Sequence, residues 1–140
     1  MFKISKSYIF IVLLTALMTT SIYAQDLSTE NKPLESPGVG DAFPHFQLTT
    51  TDYQSIDLYD YFQNEPVVLI YYLGGWWPYC NLQLGQLLEI EREMIELGYR
   101  IVAVSPDRPT ELSKTIDANE LTYTLLSDSS MVGAQTLGIA

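Results

Sequence analysis

Hydrophobic positions in this chain occur in two kinds of run, and the order of those runs outlines a fold. Pro66-Val67-Val68-Leu69-Ile70-Tyr71-Tyr72 and Arg100-Ile101-Val102-Ala103-Val104-Ser105 are short apolar stretches with no polar alternation. Runs of this kind suit strands covered on both faces, so the first is expected to be a central strand buried on both sides. Tyr123-Thr124-Leu125-Leu126 is a shorter third strand. Between the strands the apolar period becomes helical. A helix is expected from about Cys80 to Leu97, with Leu84, Leu87, Leu88, Met94 and Ile95 on a broad apolar face. Glu89, Glu91, Glu93 and Glu96 lie largely elsewhere as a solvated surface, and Gly98 supplies the stop. Pro109 to Ala118 reads as a second helix with Pro109 in its first turn, and Met131 to Leu137 as a last helical piece. Upstream, Phe46–Leu48 and Ser55–Leu58 form a β-hairpin around the polar turn Thr49–Gln54, followed by one helical turn from Leu58 to Phe62. Strand and helix in alternation imply an α/β class, a mostly parallel sheet flanked by helices with right-handed crossovers.

The first 24 residues follow a different pattern. Lys3 and Lys6 give a basic start, Tyr8 to Met18 an apolar stretch, and Ile22-Tyr23-Ala24 a small-residue end. That is the form of a secretory signal peptide cleaved after Ala24, which sends the mature chain to the periplasm or outside the cell. The apolar run is well short of the ~20 residues of a membrane-spanning helix, so no stable membrane anchor is expected after cleavage. Residues 25–39 are polar, with Pro33, Pro37 and Gly38, and read as a flexible linker. The domain then occupies residues 40–140.

Charge and composition remove several functions. Seven Lys+Arg stand against 17 Asp+Glu, for a net charge of −10. A chain this acidic repels phosphate backbones, so no nucleic-acid partner is expected. One Cys and one His cannot build a four-ligand zinc site, and neither metal nor cofactor is expected. His45, between Pro44 and Phe46, reads as a solvated residue at a strand edge. A lone Cys in an exported chain is free, reactive, or paired with another molecule.

The chemistry-bearing segment is Gly74-Gly75-Trp76-Trp77-Pro78-Tyr79-Cys80-Asn81, where the first long strand gives way to its helix. Reaction sites in open α/β sheets gather at the carboxyl ends of strands. A Cys in the first turn of a helix also meets the positive end of the helix dipole, which favours thiolate over thiol. Against this, most free cysteines are buried hydrophobes. Trp76 and Trp77 form either a binding lip or simple packing; Tyr71, Tyr72 and Tyr79 offer hydroxyls near Cys80, with core packing the favoured reading for Tyr71 and Tyr72.

The segment Val67 to Leu84 resembles the peroxiredoxin-like (alkyl hydroperoxide reductase / thiol-specific antioxidant) branch of the thioredoxin superfamily, which typically reads F-Y-R-G-G-W-C-P-Y-C-N here. Val39-Gly40-Asp41-Ala42-Phe43-Pro44-His45-Phe46-Gln47-Leu48 is similar to the entry motif V-G-D-x-x-P-x-F-x-L, and Val102–Asp107 and Leu125–Asp128 are similar to the second and third strand ends. The resemblance implies a thioredoxin-like fold with Cys80 as catalytic residue and Trp76, Trp77, Pro78 and Tyr79 as supporting or substrate-binding residues. It also implies a peroxide or disulfide substrate and an external thiol reductant.

Three positions depart from the pattern. Trp77 replaces the first Cys of C-P-Y-C, which removes a two-cysteine cycle within the chain. Leu73 and Gly85 stand where Arg is common, which removes charge that would support a thiolate. The position of Cys80 resembles the one that holds the peroxide-attacking Cys of peroxiredoxins, which carry Thr where this chain has Trp77. Thioredoxin-like folds also continue into a further β-hairpin and a last helix, so the chain is expected to be truncated before them, leaving one bare edge on the Val67–Tyr72 strand. Two functions remain. One is an exported thiol-dependent oxidoreductase or peroxidase, an antioxidant activity through Cys80 weakened by Trp77. The other is a non-catalytic, degenerate thioredoxin-fold binding module or fragment.

Overall fold

Apolar runs need neighbours for both their side chains and their backbone groups, and β-strand pairing meets both needs. The computed structural model describes residues 36–62 and 65–140, so the expected signal peptide and the linker up to residue 35 lie outside the described residues. The elements are β1 (Gln47–Thr49), β2 (Ser55–Asp57), α1 (Leu58–Tyr61), β3 (Val67–Tyr71), α2 (Pro78–Glu96), β4 (Arg100–Ser105), α3 (Pro109–Asn119), β5 (Thr124–Ser127) and α4 (Val132–Thr136). The strands form one sheet in the order β2-β1-β5-β4-β3. β3, β4 and β5 are parallel, with Leu69 opposite Val102 and Val102 opposite Thr124. β1 runs antiparallel to β5 and closes the expected hairpin with β2.

β4 is the centre of this sheet, and Ile101 to Ser105 are all buried. Successive side chains on a strand point to opposite faces. Ile101 and Ala103 therefore join Leu84 of α2, Leu112 of α3 and Leu125 on one face. Val102 and Val104 join Phe46, Leu48, Leu58, Leu126 and Leu137 on the other. Tyr123 adds a polar fastening, its hydroxyl donating to the Leu84 carbonyl at 2.9 Å.

Two expectations change. β3 is not a central strand buried on both sides, and its free side agrees with the bare edge expected of the Val67–Tyr72 strand: among the described residues it pairs only with β4, and all five of its residues are half-buried. Its unbroken apolar run reports that both faces meet core side chains, with Val67, Leu69 and Tyr71 on one face and Ile70 on the other. That run carries no information about how many strands flank the ladder. Ile95 also leaves the apolar face and is 46% exposed, whereas Met94 packs against the core. Neighbouring helical residues point about 100° apart, so only one of the two can face inward here.

α2 starts two residues earlier than expected, because Pro78 at the first helical position has no N–H to leave unpaired. Within this helix, Gly85 has nothing within 4 Å of where a Cβ would stand. Gly85→Ala is therefore expected to raise unfolding stability by about 0.5–1 kcal/mol, measurable as a higher urea midpoint at unchanged slope.

Candidate functional site

The site begins where β3 ends. Tyr72 extends the ladder by donating its N–H to Val104 at 2.9 Å, and Leu73 then turns to solvent. Gly74 follows at φ +145, where a side chain would stand 2.9 Å from Asp107 Oδ1. The Gly75 peptide is held from both ends. Its N–H donates to Asp107 Oδ2 at 2.7 Å, and its carbonyl accepts from Asn81 Nδ2 at 2.7 Å. A Cβ on Gly75 would overlap Thr115 Oγ1, so this approach tolerates no side chain. Each clamping residue is itself fastened. Ser105 Oγ donates to Asp107 Oδ2 at 3.1 Å, Ser127 Oγ donates to the Asp107 carbonyl at 2.6 Å, and Asn119 Nδ2 donates to Asn81 Oδ1 at 3.3 Å.

This clamp sets the first turn of α2. Trp77 is its N-cap, without a side-chain cap, and its carbonyl accepts from the N–H groups of Cys80 at 3.0 Å and Asn81 at 3.3 Å. Trp76, Trp77, Pro78 and Tyr79 are exposed, and the two Trp rings meet edge-on at 5.7 Å with Tyr79 6.1 Å from Trp77. These aromatics thus stand as a lip rather than as core. Cys80, the third residue of α2, turns inward: it is 8% exposed and belongs to the cluster of Tyr72, Leu84, Ala103 and Leu112. It still lines an open cleft of about 700 Å³, shared with Tyr72, Trp77, Tyr79, Gln83 and Asp128. Among the described residues, no Lys or Arg lines that cleft.

The phenols and the carboxylate there are buried. Tyr71 and Tyr72 have buried hydroxyls with no hydrogen-bond partner among the described residues. Burial raises the Tyr71 phenol above its ordinary range, and the Asp128 charge adds to this. Burial pushes the Tyr72 phenol up to about 12, with Asp107 and Cys80 adding to the rise and Ser105 opposing it. Ser105 is close enough to act in this way, yet its contact with Tyr72 does not reach hydrogen-bond geometry. The Asp128 carboxylate is 2% exposed and accepts from the N–H groups of Gly133 at 3.1 Å and Ala134 at 2.8 Å.

Sequence reasoning singled out Cys80 and its neighbours but gave no role to Asn81, Asp107 or Asp128. One signal was available: both acids lie within two residues of a strand end, Asp107 after β4 and Asp128 after β5. Possible metal ligands come together elsewhere, at His45, Asp57 and Asp60, whose ligand atoms lie within 4.8 Å of one another. The Asp57 carboxylate is already engaged there. It accepts from the Tyr59 and Asp60 N–H groups as the cap of α1, and from His45 Nδ1 at 3.2 Å. Among the described residues, no helix is long and apolar enough to cross a membrane.

Asp107→Ala removes the acceptor that holds both Gly75 and Ser105. It is expected to cost about 1–3 kcal/mol of stability and to speed amide exchange at Gly75, read by hydrogen–deuterium exchange.

Comparison with known proteins places this arrangement. Residues 39–140 match the model of the AhpC/TSA family. The chain is similar to a putative peroxiredoxin of Haemophilus influenzae, 32% identical over 101 residues, which is 72% of this chain and 64% of that protein. It is also similar to a 1-Cys peroxiredoxin of Arabidopsis thaliana, 32% identical over 73 residues, covering 51% of this chain and 33% of that one. Its fold is similar to the crystal structure of a peroxidoxin from Mycobacterium tuberculosis, with a TM-score of 0.66 and 25% identity, covering 71% of this chain and 64% of that one. The chain thus spans about two thirds or less of the length of these relatives. The parallel β3-β4-β5 sheet with its antiparallel hairpin and flanking helices is the thioredoxin-like arrangement that the motifs implied. With the family model covering Val39 through Ala140, and with these relatives in sequence and fold, the chain belongs to the AhpC/TSA family, in the peroxiredoxin-like branch of the thioredoxin superfamily.

Proposed function

We propose that this chain acts as an exported thiol-dependent peroxidase with Cys80 as its nucleophile. The observation that carries this reading is the placement of Cys80: first turn of α2, carboxyl end of β3, on the wall of an open cleft. Family membership and the peroxiredoxin names of the relatives support it. The thiolate sulfur attacks one oxygen of a hydroperoxide, forming an S–O bond as the O–O bond breaks. The other oxygen leaves with the electron pair and takes a proton, which gives Cys80 sulfenic acid and an alcohol or water. Two equivalents of an external thiol then restore Cys80, releasing water and the external disulfide. No second Cys exists in the chain to resolve the sulfenic acid, so reduction comes from outside. The absence of Lys and Arg from the described cleft lining makes turnover slow. The basic start, short apolar run and Ala24 support export.

One observation favours the second reading, a non-catalytic binding module. Cys80 is 8% exposed and packs as a core residue. The two readings separate on one reaction. The purified chain treated with an organic hydroperoxide is expected to form a dimedone-trapped sulfenic acid at Cys80, no intramolecular disulfide, and to turn over only with added thiol. Cys80→Ser abolishes all of this, and a wild-type chain giving no adduct while its thiol still alkylates supports the binding module. Export has its own readout: N-terminal sequencing of the secreted protein is expected to begin at Gln25, and retention of residues 1–24 overturns it.

A further inference from the structure

We propose that the hydroxyl of Tyr72 is the hydrogen-bond donor that holds the oxygens of a hydroperoxide against Cys80, a role that rests on the peroxidase reading above. Tyr72 is 9% exposed, and its buried hydroxyl has no partner among the described residues. Native proteins pair such groups almost without exception, so an unpaired buried donor belonging to a residue of the cleft wall points to a ligand that pairs with it when the cleft is filled. Tyr72 and Cys80 belong to the same side-chain cluster and line the same cleft.

The alternatives within the cleft are already engaged or face water. The Cys80 N–H donates to the Trp77 carbonyl, and the Asp128 carboxylate is an acceptor held by the N–H groups of Gly133 and Ala134. Tyr79 and Gln83 are exposed at the rim. Tyr71 also has an unpaired hydroxyl, but adjacent strand residues face opposite ways. Tyr71 lines the same cleft, but its hydroxyl sits against Gly133 and its ring packs in the cluster on the other face of the sheet from Cys80. No Lys or Arg among the described residues lines the cleft to take the donor's place, and Trp77 beside it has no hydroxyl.

The chemistry fits a neutral phenol. Burial pushes its titration up to about 12, with Asp107 and Cys80 adding to the rise and Ser105 opposing it, so the proton stays on the oxygen at neutral pH. As sulfur attacks and the O–O bond breaks, negative charge develops on the leaving oxygen. A phenol donating to that oxygen stabilises the charge in the transition state without giving up its own proton.

Tyr72→Phe tests this directly, because it removes the hydroxyl and keeps the ring. Two second-order rates are measured on Cys80 in the full chain at one pH: sulfenic acid formation with tert-butyl hydroperoxide, and alkylation by iodoacetamide. The oxidation rate is expected to fall on the order of 10²-fold, while alkylation, which has no peroxide oxygen to stabilise, stays unchanged. Oxidation at the wild-type rate, or an equal fall in both reactions, overturns the proposal and leaves the peroxidase reading standing. A wild-type chain that alkylates but never oxidises overturns the peroxidase reading itself, and this role with it.

Discussion

The peptide of Gly75 is held by its N–H and its carbonyl at once, and the arrangement around Cys80 hangs from that double contact. Asp107, just past the end of β4, takes the N–H, and Asn81, one turn into α2, takes the carbonyl. A hydrogen bond to a charged group contributes about 1.5–3 kcal/mol, but the geometric consequence is larger than either bond. The turn is bound to the sheet on one side and to the helix it launches on the other. Asn119 ties Asn81 to α3, and Thr115 closes the space where a side chain on Gly75 would go. With the turn fixed this way, Trp76, Trp77 and Tyr79 are directed outward and Cys80 inward.

Burial and reactivity compete at Cys80. Packing against Tyr72, Leu84, Ala103 and Leu112 treats the sulfur as a small hydrophobe. Near the cleft beside it, β3 has among the described residues a ladder partner on one side only, and Leu73 turns to solvent. What lines this cleft is aromatic and electrically sparse. The one buried carboxylate, Asp128, already has its charge stabilised by the amides at the start of α4. Leu73 is exposed, and the surroundings of Gly85 are open. Among the described residues, the buried side-chain groups of this cleft without a partner are the phenols of Tyr71 and Tyr72, and no cation lines it.

The amino-acid sequence by itself determined the elements and the motif. β4 begins and ends where its apolar run does, and the hairpin, the single turn after it and the three later helices lie within two residues of their expected bounds. Those features are local: apolar period, proline at helix starts and glycine at stops act over a few neighbouring residues. Cys80 was legible as a candidate for the same reason, through a contiguous motif at a strand end. What only the tertiary structure decided involves partners far apart in the chain. An apolar run does not say whether its ladder is flanked once or twice, so the run Val67–Tyr71 by itself suggested a central strand, and the bare edge was legible only through the resemblance. The bond from Gly75 to Asp107 spans 32 residues, and that from Asn119 to Asn81 spans 38. Nothing in the composition of Tyr72 says whether its hydroxyl finds a partner, because that depends on the positions of all the groups packed around it once β4, α2 and α3 have closed over the same core.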